Sequence, residues 1–281
     1  MLYSKVKSYA KLNLALNIVG KSNSLHKIES IISFVNLHDL ITVKEIRSKK
    51  HVIEFRGKFS KNINKDNTIS RLLEILEKKK LLKNKKFQIK VYKKIPNKAG
   101  LGGGSMNAAS ILEFFIKKKI IKARKKKIVE ISKLIGSDVI LGLNKKSAIL
   151  TSKNEIKYFN NTKKFYTLIV KPNFGCSTRE IYSRVRKFHK SKLNQPKKKM
   201  FSLNYLKKMG NDLEKVAFIK YPKLKIIKLY LENSLDPAFV RMTGSGSSLV
   251  AYFQSKKSCE RGKKRFNKKY KNYWCIASKT I

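Results

Sequence analysis

The sequence predicts a chain of two domains that mixes strands with helices, and three observations carry that expectation. Its 281 residues exceed what one ordinary core requires. The stretch from Phe87 to Lys118 reads as a strand, a glycine-rich loop and a helix. After Ser147-Ala148-Ile149-Leu150 the pattern begins again, with an apolar strand at Tyr166-Thr167-Leu168-Ile169-Val170-Lys171-Pro172. The domains expected from this are 1–155 and 156–281.

The central stretch opens with Phe87, Ile89, Val91 and Ile95 alternating with polar residues or Tyr92, the period of a strand with one buried face. Pro96 ends it, because proline has no N–H to donate to a ladder. Gly100-Leu101-Gly102-Gly103-Gly104-Ser105 follows, and then, from Asn107, a helical run with Ile111, Leu112, Phe115 and Ile116. Strand, glycine loop and helix together point backbone N–H groups and a helix N-terminus at a phosphate. The alternative is a bare connector. A Walker A loop is excluded because Gly104 precedes Ser105-Met106 rather than Lys-Ser/Thr, and a dinucleotide fingerprint because Ser105 stands where its third glycine belongs.

Composition narrows the class. Hydrophobic content of 42% is that of a globular protein. The formal charge is +50, and only ten of the 67 basic residues are arginine. A nucleic-acid surface leans on arginine and interleaved aromatics. Lysine bias on solvated faces is therefore the favoured reading, with no specific nucleic acid as partner and only nonspecific polyanion binding at low salt. Three cysteines without a CxxC pair suit a reducing cytoplasm. The apolar run Leu12 to Val19 is broken by Asn13 and Asn17, so neither a targeting segment nor a membrane span is expected.

Earlier in the chain, Ala10 to Val19 reads as a strand with Leu12, Leu14, Leu16 and Ile18 on one face and Lys11, Asn13 and Asn17 on the other. Gly20-Lys21-Ser22-Asn23 reads as a turn, and His26 follows it. Asn67 stands before a helix with Leu72, Leu73, Ile75 and Leu76 on its buried side, in the position of an N-cap. Asp138 lies between Ser137 and apolar residues in a chain with seventeen acidic residues. A carboxylate in such a setting meets a cation, either as a structural ion pair or as part of a catalytic one. Lys187 to Lys199 reads as a polar surface loop. Arg241-Met242-Thr243-Gly244-Ser245-Gly246-Ser247-Ser248 precedes the apolar run Leu249 to Phe253.

The run Ile95-Pro96-Asn97-Lys98-Ala99-Gly100-Leu101-Gly102-Gly103-Gly104-Ser105 resembles the phosphate loop of the GHMP small-molecule kinases. Lys11 and Asn13 resemble the lysine and asparagine of that family's first strand, with Tyr9 where its proline usually stands. Leu134-Ile135-Gly136-Ser137-Asp138-Val139-Ile140 is similar to its Gly-Ala-Asp-Val-Pro segment, with Ser137 and Ile140 as departures, and Arg241 to Ser248 to its closing motif. His26, Asn211-Asp212-Leu213-Glu214 and Cys176-Ser177-Thr178-Arg179 resemble the branch that acts on 4-diphosphocytidyl-2-C-methyl-D-erythritol. Leu25 takes the place of that branch's aromatic.

The resemblance implies an α+β fold with an N-terminal ribosomal S5-like domain and a C-terminal ferredoxin-like domain. It implies transfer of the γ-phosphoryl group of ATP, with Mg²⁺ carried on the nucleotide and no dedicated metal site. Lys11 and Asp138 would be catalytic. Asn67, Pro96, Ala99, Gly100, Leu101, Gly102, Gly103, Gly104, Ser105, Asn107, Gly244 and Ser245 would bind ATP, with Asn67 open to either a capping or a base-contacting role. Asn13, His26, Thr178 and Tyr182 would bind the cytidine-diphosphate-linked methylerythritol, with Tyr182 stacking on the base. Met106 departs from the family's second serine. A monomer or weak homodimer is expected. The rival readings are a homoserine or mevalonate type of GHMP kinase and a basic RNA-binding protein.

Overall fold

The computed structural model describes residues 4–22 and 25–281. Two compact units make up the chain. One comprises the residues up to Lys11 with Leu37–Asn97 and Gly102–Lys145; the other comprises Leu12–Asn36, Lys98–Leu101 and Lys146–Ile281. Strands β1 (Ser4–Ser22) and β2 (Leu25–Ile46) pair with each other and contribute to both units. The strand expected over 10–19 is thus longer at each end. Of the expected turn, Gly20 to Ser22 continue the strand, while Asn23 and Ser24 lie outside the described residues.

The middle of β1 departs from simple amphipathic alternation. Lys11, Asn13 and Asn17 share a face, as predicted, but they are as buried as the leucines opposite. Polar groups can be buried on both sides of a strand only with partners. Asn13 Nδ2 donates to Ser30 Oγ at 2.8 Å, and Asn17 Nδ2 donates to Glu29 Oε1 at 2.8 Å.

In the first unit, β3 (Val52–Arg56) runs parallel to β4 (Lys86–Tyr92), which is antiparallel to the second half of β2 with Leu40 opposite Tyr92. Helices α1 (Thr68–Lys78), α2 (Gly103–Lys117), α3 (Lys125–Ile135) and α4 (Val139–Gly142) accompany this sheet. Phe87, Ile89 and Val91 form one core with Leu72, Leu76, Leu112 and Phe115. The rings of Phe87 and Phe115 meet at 4.7 Å between centroids. Strand β4 stops at Tyr92, three residues before the expected Ile95. Beyond it, the amides of Lys94 and Ile95 turn from any ladder to the Asp39 carboxylate. Helix α2 starts four residues earlier than expected, because Gly102 (φ 67°) takes the left-handed cap position.

In the second unit, the first half of β2 pairs with β5 (Ser147–Leu150), which pairs with β6 (Ile156–Phe159). A separate antiparallel sheet has the order β10–β7–β9–β8, built from β7 (Tyr166–Lys171), β8 (Phe239–Met242), β9 (Leu249–Phe253) and β10 (Trp274–Lys279). That order, with helices between β7 and β8 and between β9 and β10, is the ferredoxin-like split βαβ arrangement. The helices are α5 (Thr178–Ser183), α6 (Leu203–Lys208), α7 (Leu213–Lys220), α8 (Pro222–Leu235) and α9 (Lys256–Lys269). In α9 only Cys259, Gly262 and Phe266 are buried, so its many lysines and arginines sit on the outer faces.

The Lys187–Lys199 segment is mostly exposed but anchored. Buried Glu29 accepts from Ser191 Oγ at 2.6 Å and from the amides of Lys192 and Leu193 at 2.8 and 3.0 Å.

Candidate active site

The glycine loop is built from backbone geometry. Gly102 caps α2 without any side-chain hydrogen bond to the first turn. The early N–H groups of a helix have no intrahelical partner, so those of Gly103, Gly104 and Ser105 remain available to an anion, reinforced by the helix dipole. Gly104 is exposed and Ser105 half-buried. Asn67 caps α1 through Oδ1, which accepts from the amides of Ile69 and Ser70 at 2.9 and 3.2 Å. Its neighbour Thr68 donates from Oγ1 to Gly104 O at 2.8 Å, tying that helix start to the loop. Asn107 is buried, and its Nδ2 donates to Asp39 Oδ2 at 3.0 Å.

Lys11 Nζ and Asp138 Oδ2 lie 3.0 Å apart, with side-chain exposures of 5% and 33%. The cation expected for Asp138 is therefore present. The carboxylate itself is less buried than its apolar neighbours suggested. A Cβ on Gly102 would lie 3.2 Å from Lys11 Cε, and one on Gly136 would lie 3.8 Å from Ser105 Oγ. Lys11 and the segment leading to Asp138 thus both border the open start of α2.

Met106 points away from this opening. Its sulfur would be 2.9 Å from a Cβ on Gly142, so the glycine in α4 makes room for the methionine. A position expected from the resemblance to carry a second hydroxyl is instead part of the core. Among the described residues, no cluster of three or more His, Cys, Asp or Glu could hold a metal ion.

In the second unit, the earlier part of the loop meets the Gly/Ser segment. Ala99 and Leu101 are buried there, as Pro96 is in the first unit. Within this unit Thr243 Oγ1 donates to Gly100 O at 3.1 Å, and Ser248 N donates to Ala99 O at 3.2 Å. Gly100 has φ 71°, and a Cβ there would fall 2.0 Å from Thr243 O. Only glycine satisfies both demands. Asn13 N donates to Thr243 Oγ1 at 3.1 Å, and the Thr178 and Ser245 hydroxyls are 2.9 Å apart. Asn211 Nδ2 donates to Met242 O and Gly244 O at 2.7 and 2.8 Å, which explains the Asn-Asp-Leu-Glu motif as the brace of this segment. Asp212 accepts from Ile18 N and lies 2.8 Å from His189 Nδ1.

His26 and Tyr182 come together, with ring centroids 5.3 Å apart at 47°. Burial, aided by Lys21, lowers the His26 pKa, which keeps the imidazole neutral. The sequence reading missed Phe188, whose ring is 6.2 Å from that of His26 and 47% exposed. The available signal was an aromatic inside an otherwise polar loop. Beside it opens a cavity of about 610 Å³ lined by Val19, Lys27, Lys153, Phe188 and Lys190 among others. Leu25, at the position of the branch's aromatic, is 75% exposed.

The GHMP kinase N-terminal domain model matches residues 67–147, and the GHMP kinase C-terminal model matches residues 185–272. The chain is a GHMP kinase. Its fold agrees with a crystal structure of 4-(cytidine 5'-diphospho)-2C-methyl-D-erythritol kinase at TM-score 0.80, with 22% identity over 99% of both chains. It also agrees with the homoserine kinase of Cytophaga hutchinsonii at TM-score 0.72, with 15% identity over 99% of this chain and 94% of that one. Among sequences, this GHMP kinase is 60% identical to the 4-diphosphocytidyl-2-C-methyl-D-erythritol kinase of Pelagibacter ubique (strain HTCC1062), over 99% of each. The enzyme of that name from Buchnera aphidicola subsp. Schizaphis graminum is 34% identical over 90% of this chain and 86% of its own.

Proposed function

We infer that this GHMP kinase transfers the γ-phosphoryl group of ATP to the 2-hydroxyl of 4-diphosphocytidyl-2-C-methyl-D-erythritol. The products are the 2-phosphate and ADP, in the non-mevalonate route to isoprenoid precursors. The observation that carries this reading is 60% identity across 99% of the chain to a relative of that name.

Phosphoryl transfer needs positioning and charge neutralisation more than covalent chemistry. The amides at the start of α2 take the nucleotide phosphates, and Gly244 and Ser245 are assigned to the same ligand. Asp138 orients the acceptor hydroxyl and receives its proton as the new P–O bond forms. Lys11 holds the carboxylate in place and favours the alkoxide-like oxygen of the transition state. Support for this pair is its 3.0 Å contact beside the open helix start. A divalent ion, Mg²⁺ in this reading, would arrive as a companion of ATP, with the Asp138 carboxylate and the Ser105 hydroxyl as the protein groups that could meet it. It supplies charge neutralisation on the phosphates.

The cytidylyl group is read by Asn13, His26, Thr178 and Tyr182, with Phe188 as the second aromatic. Neutral His26 offers one donor and one acceptor to the base. The division of labour we propose runs 1–155 for the nucleotide loop and catalytic pair, and 156–281 for the closing segment and substrate side. No described helix is long and apolar enough to cross a membrane, and the cysteines are free. We place the reaction in the cytoplasm, in a monomer or weak homodimer acting on small molecules.

A coupled ADP-release assay decides the substrate. ADP should form with the cytidylyl methylerythritol and not with homoserine or mevalonate. Release with either of those alone would reassign the enzyme within its family. Selective RNA binding without any phosphoryl transfer would remove it from catalysis.

A further inference from the structure

The first unit contains a buried charge pair that the reaction itself does not use. Asp39, on β2, is fully buried, and Lys93, just past β4, is nearly so. Their Nζ and Oδ2 atoms are in direct contact. The Asp39 carboxylate is saturated in an organised way. Oδ1 accepts from the amides of Lys94 and Ile95 at 2.7 and 2.8 Å. Oδ2 accepts from Lys93 and from Asn107 Nδ2, the latter at 3.0 Å.

These donors bracket the glycine loop. Lys94 and Ile95 lead into it, and Asn107 is in the helix that leaves it. The Lys93 ammonium also reaches the loop, 3.4 Å from where a Cβ on Gly103 would sit, and Ile95 Cγ2 lies 3.1 Å from the same point. A buried ion pair is a poor source of net stability, because desolvation offsets its attraction. It is a strong source of geometry, because every partner has one satisfactory position. Asn107 Oδ1 is buried with no hydrogen-bond partner among the described residues. The amide is thus held for what its Nδ2 does.

We propose that Asp39 is a positioning residue for nucleotide binding. It joins the chain entering the phosphate loop to the helix leaving it, and so sets the spacing of the amides that receive the phosphates. The proposal rests on reading residues 100–105 as the nucleotide loop.

The test compares full-length variants by ATP titration calorimetry in the presence of magnesium, by KM for each substrate, and by melting temperature. Asp39→Asn replaces the Oδ2 acceptor with a donor facing an ammonium and an amide. It should raise the KM for ATP by about tenfold or more while leaving that for the cytidylyl substrate within about twofold. Asp39→Asn/Lys93→Met removes the stranded ammonium, and Asn107 can then rotate to accept from the new amide. Its KM for ATP should return to within about threefold of the parent. Asn107→Leu, similar in size, should show the same ATP-selective loss at about three- to fivefold.

Lowered melting temperatures with both KM values unchanged, or raised together, would make the network merely structural and overturn the proposal. Failure of the double variant to recover would also overturn it, by assigning the effect to the lost Asp39 charge rather than to the geometry of the loop. If Asp39→Asn does not fold, Asn107→Leu decides, and an unchanged KM for ATP there sinks the idea. Gly104→Val tests the underlying reading separately. Its Cβ has only Thr68 nearby, so a folded variant with intact ATP affinity would dismiss the loop as a phosphate site, and the proposal with it.

Discussion

The phosphate side and the cytidylyl side that we propose for this enzyme are built on opposite plans. The phosphate side presents main-chain amides at the start of α2, held from behind by buried Asp39, Lys93 and Asn107. The cytidylyl side presents side chains, His26, Tyr182 and the exposed Phe188, from three separate stretches of chain. A backbone site depends on the shape of the chain and tolerates substitution of what points inward. Met106 shows this, since its side chain packs against Gly142 and leaves the amides where they are. A side-chain site depends on which rings are supplied, but a ring can come from elsewhere in the chain. With Leu25 at the expected aromatic position, Phe188 lies close enough to His26 to serve. Preorganised backbone suits charge that hardly varies between substrates, whereas movable rings suit the part that defines the substrate.

The proposed catalytic pair, Lys11 and Asp138, borders the phosphate side with its side chains, and breaking it should have the largest effect. Asp138→Asn keeps the shape but removes charge and basicity, so kcat should fall by about 10²–10⁴-fold. KM should change little, because the interaction matters most as the proton leaves. Lys11→Met should slow turnover too, and the double variant should be barely worse than either single one, since the two act as a unit. Turnover and melting temperature measured on one preparation distinguish this from a plain ion pair. A destabilised Asp138→Asn enzyme with normal kcat would remove the catalytic assignment.

The second plan is tested by its rings, with a smaller effect. Tyr182→Ala and Phe188→Ala should each weaken binding of the cytidylyl substrate by about 1–3 kcal/mol, the usual worth of stacking on an aromatic. ATP affinity should hold steady in both. Should only one variant matter, the base is read on a single face. Equal losses for both ligands would instead indicate that the ring packs the protein, as Tyr182 also borders the core of its unit.

The same contrast explains what could be read in advance. The glycine loop, its strand and its helix were legible because backbone sites require glycine spacing, and spacing is a property of consecutive residues. The ferredoxin-like unit could be anticipated only through the family resemblance, since β8 and β10 are short strands whose pairing depends on distant chain. Asp39 was not legible as a functional residue, because its partners are 54 or more positions away. Phe188 looked like part of a solvated loop, and nothing local announces that Glu29 anchors that loop from across the sequence. The burial of Asn13 and Asn17 was equally hidden, since their partners come from β2. Local chemistry was readable, and long-range polar pairing was not.

The smallest expected effect is on stability against acid, and it should arise more on the phosphate side. His51, in the unit that carries α2, stacks on Phe87 with ring centroids 6.0 Å apart. Its Nδ1 accepts from Phe87 N at 3.0 Å, so the neutral ring carries its hydrogen on Nε2, 3.1 Å from Glu77. Burial lowers the His51 pKa below the ordinary 6.5, although Glu77 pulls the other way. The folded state therefore binds fewer protons than the unfolded one as pH falls below 6.5, and stability declines as pH falls through that window. Protonation at Nδ1 would also cost Phe87 its acceptor. Glu77, whose pKa is held below 4.5 first by its hydrogen bond from Lys86, adds a second loss at lower pH, as carboxylates with depressed pKa values do. Melting temperature should thus be flat from pH 8 to about 7 and fall toward pH 5.5. His51→Asn retains an acceptor for Phe87 N but does not titrate, and should flatten that part of the curve. His26→Asn should flatten it less, because the His26 ring is the more exposed of the two and has no backbone amide depending on it. An unchanged slope in His51→Asn would move the acid sensitivity elsewhere, with half-buried His38 the next group to test.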